Sequence, residues 1–132
     1  MGKKPNGFTL LELMIGLVIV VILSSIAIPS FSKAIEKTKV KDAQTTLSAI
    51  FSAEKIYRLD QNSYGSLGTL VVNNYLSDPN SGNSTWIFDA VGNAGTFAAT
   101  ATRTGGRYNN STITLDDTFT GTNYGGSHPL IN

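Results

Sequence analysis

The chain has 132 residues, of which 41% are hydrophobic and 14% charged, enough for one modest folded domain beside a long apolar run. Its formal charge of +1 becomes −1 if Lys3 and Lys4 are removed, because 8 basic side chains then face 9 acidic ones. This balance excludes a basic field, so we expect no specific nucleic acid partner. The absence of cysteine excludes disulfides, thiolate catalysis and cysteine-based metal sites.

The first predicted element is the apolar run from Phe8 to Ile28, which holds one charged residue, Glu12. As a helix this run is about 31 Å long, close to the roughly 30 Å thickness of bilayer hydrocarbon. An ionised carboxylate inside hydrocarbon costs about 2.5 to 3.5 kcal/mol. The run therefore predicts a membrane-spanning helix in which Glu12 has a compensating partner.

Other interpretations of the run differ in what they make of Glu12. A cleavable secretory signal has an apolar core of only about 7 to 15 residues, and a cut after Ala27 would leave Ile28-Pro29 at the new terminus. A buried helix of a soluble protein needs more surrounding chain to cover it. A plain signal anchor, with Glu12 near the cytoplasmic headgroups, stays open as an alternative.

The residues around Glu12 resemble a known family. Gly7-Phe8 followed by Thr9-Leu10-Leu11-Glu12-Leu13, the apolar run and Pro29 is similar to the class III signal of type IV pilins and type II secretion pseudopilins. The resemblance implies that a prepilin peptidase cuts between Gly7 and Phe8 and that the new Phe8 amine is methylated. It also implies that Glu12 pairs with the Phe8 amine of a neighbouring subunit, which favours assembly and sets register.

The same helix is predicted to continue from about Thr9 to about Leu59. Pro29 lacks the N–H that would bond the Ser25 carbonyl, so we expect a kink there, with Ser24 and Ser25 engaging freed backbone groups. The second half carries apolar residues at helical spacing, which predict a face that packs on the domain: Phe31, Ile35, Val40, Ala43, Leu47, Ile50, Phe51, Ile56 and Tyr57. The opposite face is predicted to carry Lys33, Lys37, Lys41, Gln44, Glu54 and Lys55.

Four lysines follow the apolar run, at Lys33, Lys37, Lys39 and Lys41. They form a candidate site for anionic lipid or DNA, but a solvated helix face explains them better. By the positive-inside rule they also favour a cytoplasmic C-terminal side, whereas the resemblance implies that this side is translocated.

Beyond the helix, Leu67 to Leu76 is predicted as a helical turn or a strand. Alternating residues predict three strands, at Trp86–Ala90, Phe97–Thr102 and Thr112–Asp116, joined by short Gly- and Asn-rich hairpins into an antiparallel meander. The run Gly95–Thr102 also resembles the second strand of many type IV pilins. Asp116-Asp117 is interpreted as an acidic turn instead of a calcium loop, and His128 as an exposed residue of a tail.

The sequence thus predicts an α+β pilin fold, with one long kinked N-terminal helix packed on a small antiparallel sheet of three or four strands. The expected parts are a cleaved leader (1–7), a transmembrane assembly helix (8–30) and a globular pilin domain (31–132). With one histidine, no cysteine and no glycine-rich loop opening a helix after a strand, we expect no enzyme, no cofactor and no metal site.

The resemblance implies a structural subunit of a type IV pilus-like filament. Its expected partners are further copies of the chain, prepilin peptidase, the membrane and an inner-membrane assembly platform. The expected location is the inner membrane and then an extracellular or periplasmic filament. The alternatives are a type II secretion pseudopilin and a membrane-anchored binding module that does not polymerise.

Overall fold

A computed structural model describes residue 2, residues 7–82 and residues 85–131, apart from the side chains of Ala27 and Pro29. The leader lysines therefore lie outside the described residues. The chain divides into two compact units, Met1–Glu36 and Lys37–Asn132, and the second is called the globular unit below. The elements are α1 (Leu10–Gln61), α2 (Leu67–Val72), β1 (Trp86–Gly92), β2 (Phe97–Arg103) and β3 (Thr112–Asp116).

Helix α1 is 52 residues long and continues through position 29, as the sequence predicts. It ends at Gln61 because the next residue, Asn62, adopts a left-handed backbone conformation with φ of 54°. The Asn62 N–H then donates to the Arg58 carbonyl at 2.9 Å, which satisfies one of the open carbonyls at the helix terminus. The kink at Pro29 stays a prediction.

The three strands form one antiparallel sheet in the order β1-β2-β3, which confirms the predicted meander. Phe88 lies opposite Ala101 in the first pairing, and Ala101 lies opposite Ile113 in the second. These three side chains are buried, and along each strand the buried residues alternate with more exposed ones. One face of the sheet therefore builds the core, with which the C-terminal part of α1 is packed.

The buried face of α1 within the globular unit confirms one part of the predicted stripe and corrects another. Val40, Ala43, Leu47 and Ile50 are buried in the core, together with Ala53. Phe31, Ile35 and Ile56 were expected in the stripe but are exposed. Gln44 and Glu54 were expected on the polar face but are buried. Gln44 reaches the C-terminal segment, where its Nε2 donates to the Ile131 carbonyl at 3.0 Å.

The segment from Leu67 to Leu76, predicted as a helical turn or a strand, begins with the short helix α2. Ser66 caps it by accepting a hydrogen bond from the Thr69 N–H at 3.3 Å. The preceding turn lies against the end of β1, where a Cβ added to Gly92 would approach the Gly65 carbonyl oxygen to 2.4 Å. Glycine at position 92 is therefore required by this close backbone approach.

One residue at the outer edge of β1 is paired with a side chain from the preceding loop. Asn80 Nδ2 donates to the Phe88 carbonyl at 2.9 Å, and Asn80 Oδ1 accepts from the Phe88 N–H at 2.8 Å. The amide thus satisfies both backbone groups of Phe88, as a neighbouring strand would.

The C-terminal segment is packed on the globular unit, so the prediction of an exposed tail at His128 is wrong. His128 is 3% exposed and packs near the rings of Trp86 and Tyr108, at centroid distances of 5.7 and 5.0 Å. Its backbone N–H donates to the Thr112 carbonyl at 3.0 Å. The Thr114–Gly125 bridge extends this attachment along the edge of β3.

Candidate functional site in the N-terminal segment

The apolar first part of α1 leaves its large side chains exposed. Among the described residues, α1 is the one helix long and apolar enough to cross a membrane, and none of its most apolar window is buried. Leu10, Leu13 and Val18 are among the many side chains of this part that are more than half exposed. Such a surface is stable only when lipid or other apolar helices cover it.

The start of α1 is built by a reciprocal pair of residues, Thr9 and Glu12. The Glu12 N–H donates to Thr9 Oγ1 at 3.2 Å, while the Thr9 N–H donates to Glu12 Oε2 at 2.9 Å. Thr9 Oγ1 also donates to Glu12 Oε2 at 3.0 Å. This is a capping box, and its pattern of threonine followed by glutamate three residues later was readable in the sequence. One Glu12 oxygen is therefore already bound within its own chain.

Gly7 and Phe8 precede α1 in accessible chain outside any helix or strand. Phe8 is 83% exposed, and a Cβ added to Gly7 would meet no atom within 4 Å. Within the described chain nothing requires glycine at position 7.

Serine hydroxyls inside the apolar segment bond to backbone carbonyls of the same helix. Ser24 Oγ donates to the Val20 carbonyl and Ser25 Oγ donates to the Ile22 carbonyl, both at 2.7 Å. These bonds satisfy two polar groups that would otherwise be costly in hydrocarbon. We also predict that these two serines engage backbone groups freed by Pro29, and this role stays a prediction.

The remaining candidate residues do not join this segment. Lys33, Lys37 and Lys41 are exposed, as a solvated helix face requires. Asp116 Oδ1 accepts from the Thr118 N–H at 2.9 Å and from its hydroxyl at 2.6 Å, so this carboxylate closes a turn. No group of three or more potential metal ligands occurs among the residues described.

An N-terminal helix with an exposed apolar first part, whose C-terminal part is packed on a three-stranded antiparallel sheet, defines a pilin-like subunit. The model of the prokaryotic N-terminal methylation motif matches residues 2–28. The family described as type IV minor pilin ComP, DNA uptake sequence receptor, matches residues 29–116. The chain belongs to this family of type IV pilins.

Curated relatives include both pilus and secretion proteins. The type IV major pilin protein PilA of Myxococcus xanthus is 43% identical over 63 residues, which are 48% of this chain and 29% of PilA. The type II secretion system core protein G of Pectobacterium carotovorum is 37% identical over 65 residues, which are 49% of this chain and 42% of that protein. The chain thus spans less than half the length of these relatives. No solved structure matches it significantly.

Proposed function

We propose that the chain is a structural subunit of a type IV pilus-like filament that is held in the inner membrane and then polymerised through α1. In this proposal prepilin peptidase cuts between Gly7 and Phe8, and the new Phe8 amine is methylated. The filament then leaves the membrane through an assembly platform. The role is structural and not catalytic.

The observation that carries the proposal is the apolar surface of the first part of α1, which the described residues leave uncovered. The methylation motif covers the start of this surface, and the pilin family match covers the part of the chain that follows. A long exposed apolar helix fits lipid before assembly and neighbouring helices after it. The accessible Gly7-Phe8 bond supports cleavage at that point.

Intact-mass measurement of membrane-extracted protein tests the processing step. In cells with an active prepilin peptidase, the mature chain is expected to begin at a methylated Phe8, and in cells without the enzyme it should retain the leader. Negative-stain microscopy of sheared surface material, with an antibody to the globular unit, then tests polymerisation. A chain that begins after Ala27, or that never enters filaments, would contradict the proposal.

A second candidate is a pseudopilin of type II secretion, which is favoured by the repeated match to core protein G. Relatives of this name from Aeromonas hydrophila and Pectobacterium carotovorum are each 37% identical over about half of the chain. The two candidates differ in location and in phenotype. Deletion of the gene should remove surface filaments in the first case and should block release of exoproteins in the second.

DNA binding, which the matched family's description names, is not part of the proposal. The globular unit carries seven lysines and arginines against seven aspartates and glutamates, so it has no net positive charge. Without net charge, long-range attraction of a polyanion is weak.

A further inference from the structure

Two cationic side chains converge on one phenol oxygen at the C-terminal end of α1. Lys55, Arg58, Leu59 and Asn62 line an open groove of about 460 Å³. Arg58 Nη1 donates to the Tyr64 hydroxyl oxygen at 2.7 Å, and Lys55 Nζ donates to the same oxygen at 3.5 Å. Both cationic nitrogens thus lie within 3.5 Å of the same oxygen, so they are close to each other and repel.

The surrounding rings hold both cations in place. Lys55 Nζ lies 4.9 Å from the centroid of the Phe51 ring, and Arg58 Cζ lies 4.8 Å from the centroid of the Tyr64 ring. Tyr64 is only 3% exposed, and its ring packs on Phe97 at a centroid distance of 4.8 Å. These ring contacts favour one position for each cation, which lowers the side-chain entropy that is lost when a ligand binds.

The groove offers hydrogen-bond donors without matching acceptors. The Tyr64 oxygen accepts both bonds, and the proton of its own O–H has no acceptor among the described residues. Among the described residues, neither Lys55 nor Arg58 forms an ion pair with a carboxylate. The nearby acid Asp60 accepts a hydrogen bond from the Tyr75 hydroxyl at 2.7 Å. Two positive charges thus border the groove beside the Tyr64 hydroxyl to which both are bonded, and neither has a carboxylate partner among the described residues.

We propose that this groove binds a phosphate group in its dianionic form, as inorganic phosphate or as the terminal phosphomonoester of a larger molecule. A dianion neutralises both cations, and its three terminal oxygens can accept from the ammonium, the guanidinium and the phenol together. A carboxylate carries only one negative charge and two acceptor oxygens, so it fits the two cations less well than a phosphate dianion does. A phosphodiester such as the DNA backbone also brings only one charge, so the groove discriminates against it.

The test uses the full-length protein in detergent micelles, titrated at constant ionic strength with inorganic phosphate, methyl phosphate and dimethyl phosphate while amide NMR signals are followed. Saturable shifts are expected around Lys55, Asn62 and Tyr64, with dimethyl phosphate at least about 10-fold weaker. Affinity for methyl phosphate should fall below about pH 6, where the monoester loses its second charge. Binding of methyl phosphate assigns a terminal group as the occupant, whereas binding of inorganic phosphate alone assigns the free ion.

Variants of the groove separate this site from general surface charge. Lys55→Gln and Arg58→Gln should each weaken phosphate binding about 10-fold, and Tyr64→Phe, which keeps the ring, should weaken it several-fold. Arg107→Gln is the matched control, because Arg107 also lies over a tyrosine ring, 6.0 Å from the Tyr108 centroid, but outside the groove. Melting curves verify that each variant is folded. Absence of saturable binding, equal affinity for dimethyl phosphate, or an equal loss in Arg107→Gln would overturn the proposal.

Discussion

Glu54 is a buried carboxyl group with an incomplete set of hydrogen bonds. It belongs to the globular unit, well beyond the predicted membrane-spanning segment, and is 0% exposed. Its Oε2 accepts from the Gly65 N–H at 2.9 Å, whereas its Oε1 has no hydrogen-bond partner among the described residues. Burial raises the pKa of Glu54 above its ordinary value of 4.5, and the bond from Gly65 partly opposes this rise.

The raised pKa of Glu54 predicts that stability falls as the pH rises. Above pH 4.5 the unfolded chain releases this proton while the folded chain keeps it, so the free energy of unfolding declines until the folded pKa is passed. Glu54→Gln keeps an acceptor for Gly65 and removes this decline. Thermal melts of the full-length protein from acid to mildly alkaline pH measure the effect. Asp42→Asn, at an exposed acid of the same helix, should leave the decline unchanged.

Glu12 is bound within its own chain by Thr9 and is also proposed to pair with a neighbour's Phe8 amine. We predict that Glu12→Ala and Glu12→Gln leave membrane levels intact but sharply reduce filaments, because each docked subunit then places an ammonium in hydrocarbon without an anion. Filament counts by electron microscopy and membrane levels by immunoblot measure this result.

Thr9→Ala distinguishes charge pairing from helix capping. It removes the cap, at a cost of about 0.5 to 2 kcal/mol of helix stability, but it retains the Glu12 charge. If pairing governs assembly, Thr9→Ala cells keep most of their filaments while Glu12→Gln cells do not. If instead Glu12→Gln cells carry normal numbers of filaments and Thr9→Ala cells carry none, Glu12 acts as a capping residue only.

At the scale of elements, the sequence predicted α1 and the three strands within a few residues, because each has a clear hydrophobic period. The prediction that Gln44 and Glu54 lie on the exposed face is wrong, because it follows from their polar residue type and not from their spacing along the helix. Position 54 continues the series Val40, Ala43, Leu47 and Ile50, so period alone places it on the buried face. The exposure of Ile56 had the same signal, since position 56 lies nine residues after Leu47 and therefore on the opposite face of a helix with about 3.6 residues per turn.

Leu47 lies within the contact between α1 and the rest of the globular unit and is 0% exposed. We expect Leu47→Ala to lower the free energy of unfolding by about 2 to 5 kcal/mol, because it removes buried methyl groups and leaves a cavity. Ile56→Ala, at a position of the same predicted stripe that is 52% exposed, should change it by less than about 0.5 kcal/mol. Chemical denaturation measures both. Equal losses in the two variants would contradict the observed orientation of the helix.

At the scale of the whole molecule, the sequence located the N-terminal segment from a local motif but could not locate contacts made between distant residues. His128 is buried by Trp86 and Tyr108, which lie 42 and 20 residues earlier in the chain, and no local pattern reports such an arrangement. The convergence of Lys55 and Arg58 likewise depends on Tyr64, whose hydroxyl accepts a hydrogen bond from each of them after the turn.

The globular unit is predicted to fold without the membrane-spanning segment. Its core contains only residues from Val40 onward, so a chain that begins at Phe31 retains every buried contact of that core. We expect this truncated chain to be soluble and to melt in one cooperative transition followed by circular dichroism. A broad, non-cooperative melt would show that the core depends on the preceding segment.

The side-chain amide of Asn80 has a further consequence when many copies of the chain lie side by side. An edge strand with free backbone groups is a template for cross-β growth, and the crowding of subunits would accelerate it. Because Asn80 occupies both backbone polar groups of Phe88, we expect it to hinder the pairing of another strand at that residue. If the chain polymerises through its helix, as proposed above, Asn80 favours that mode of assembly over pairing between the sheets of neighbouring subunits.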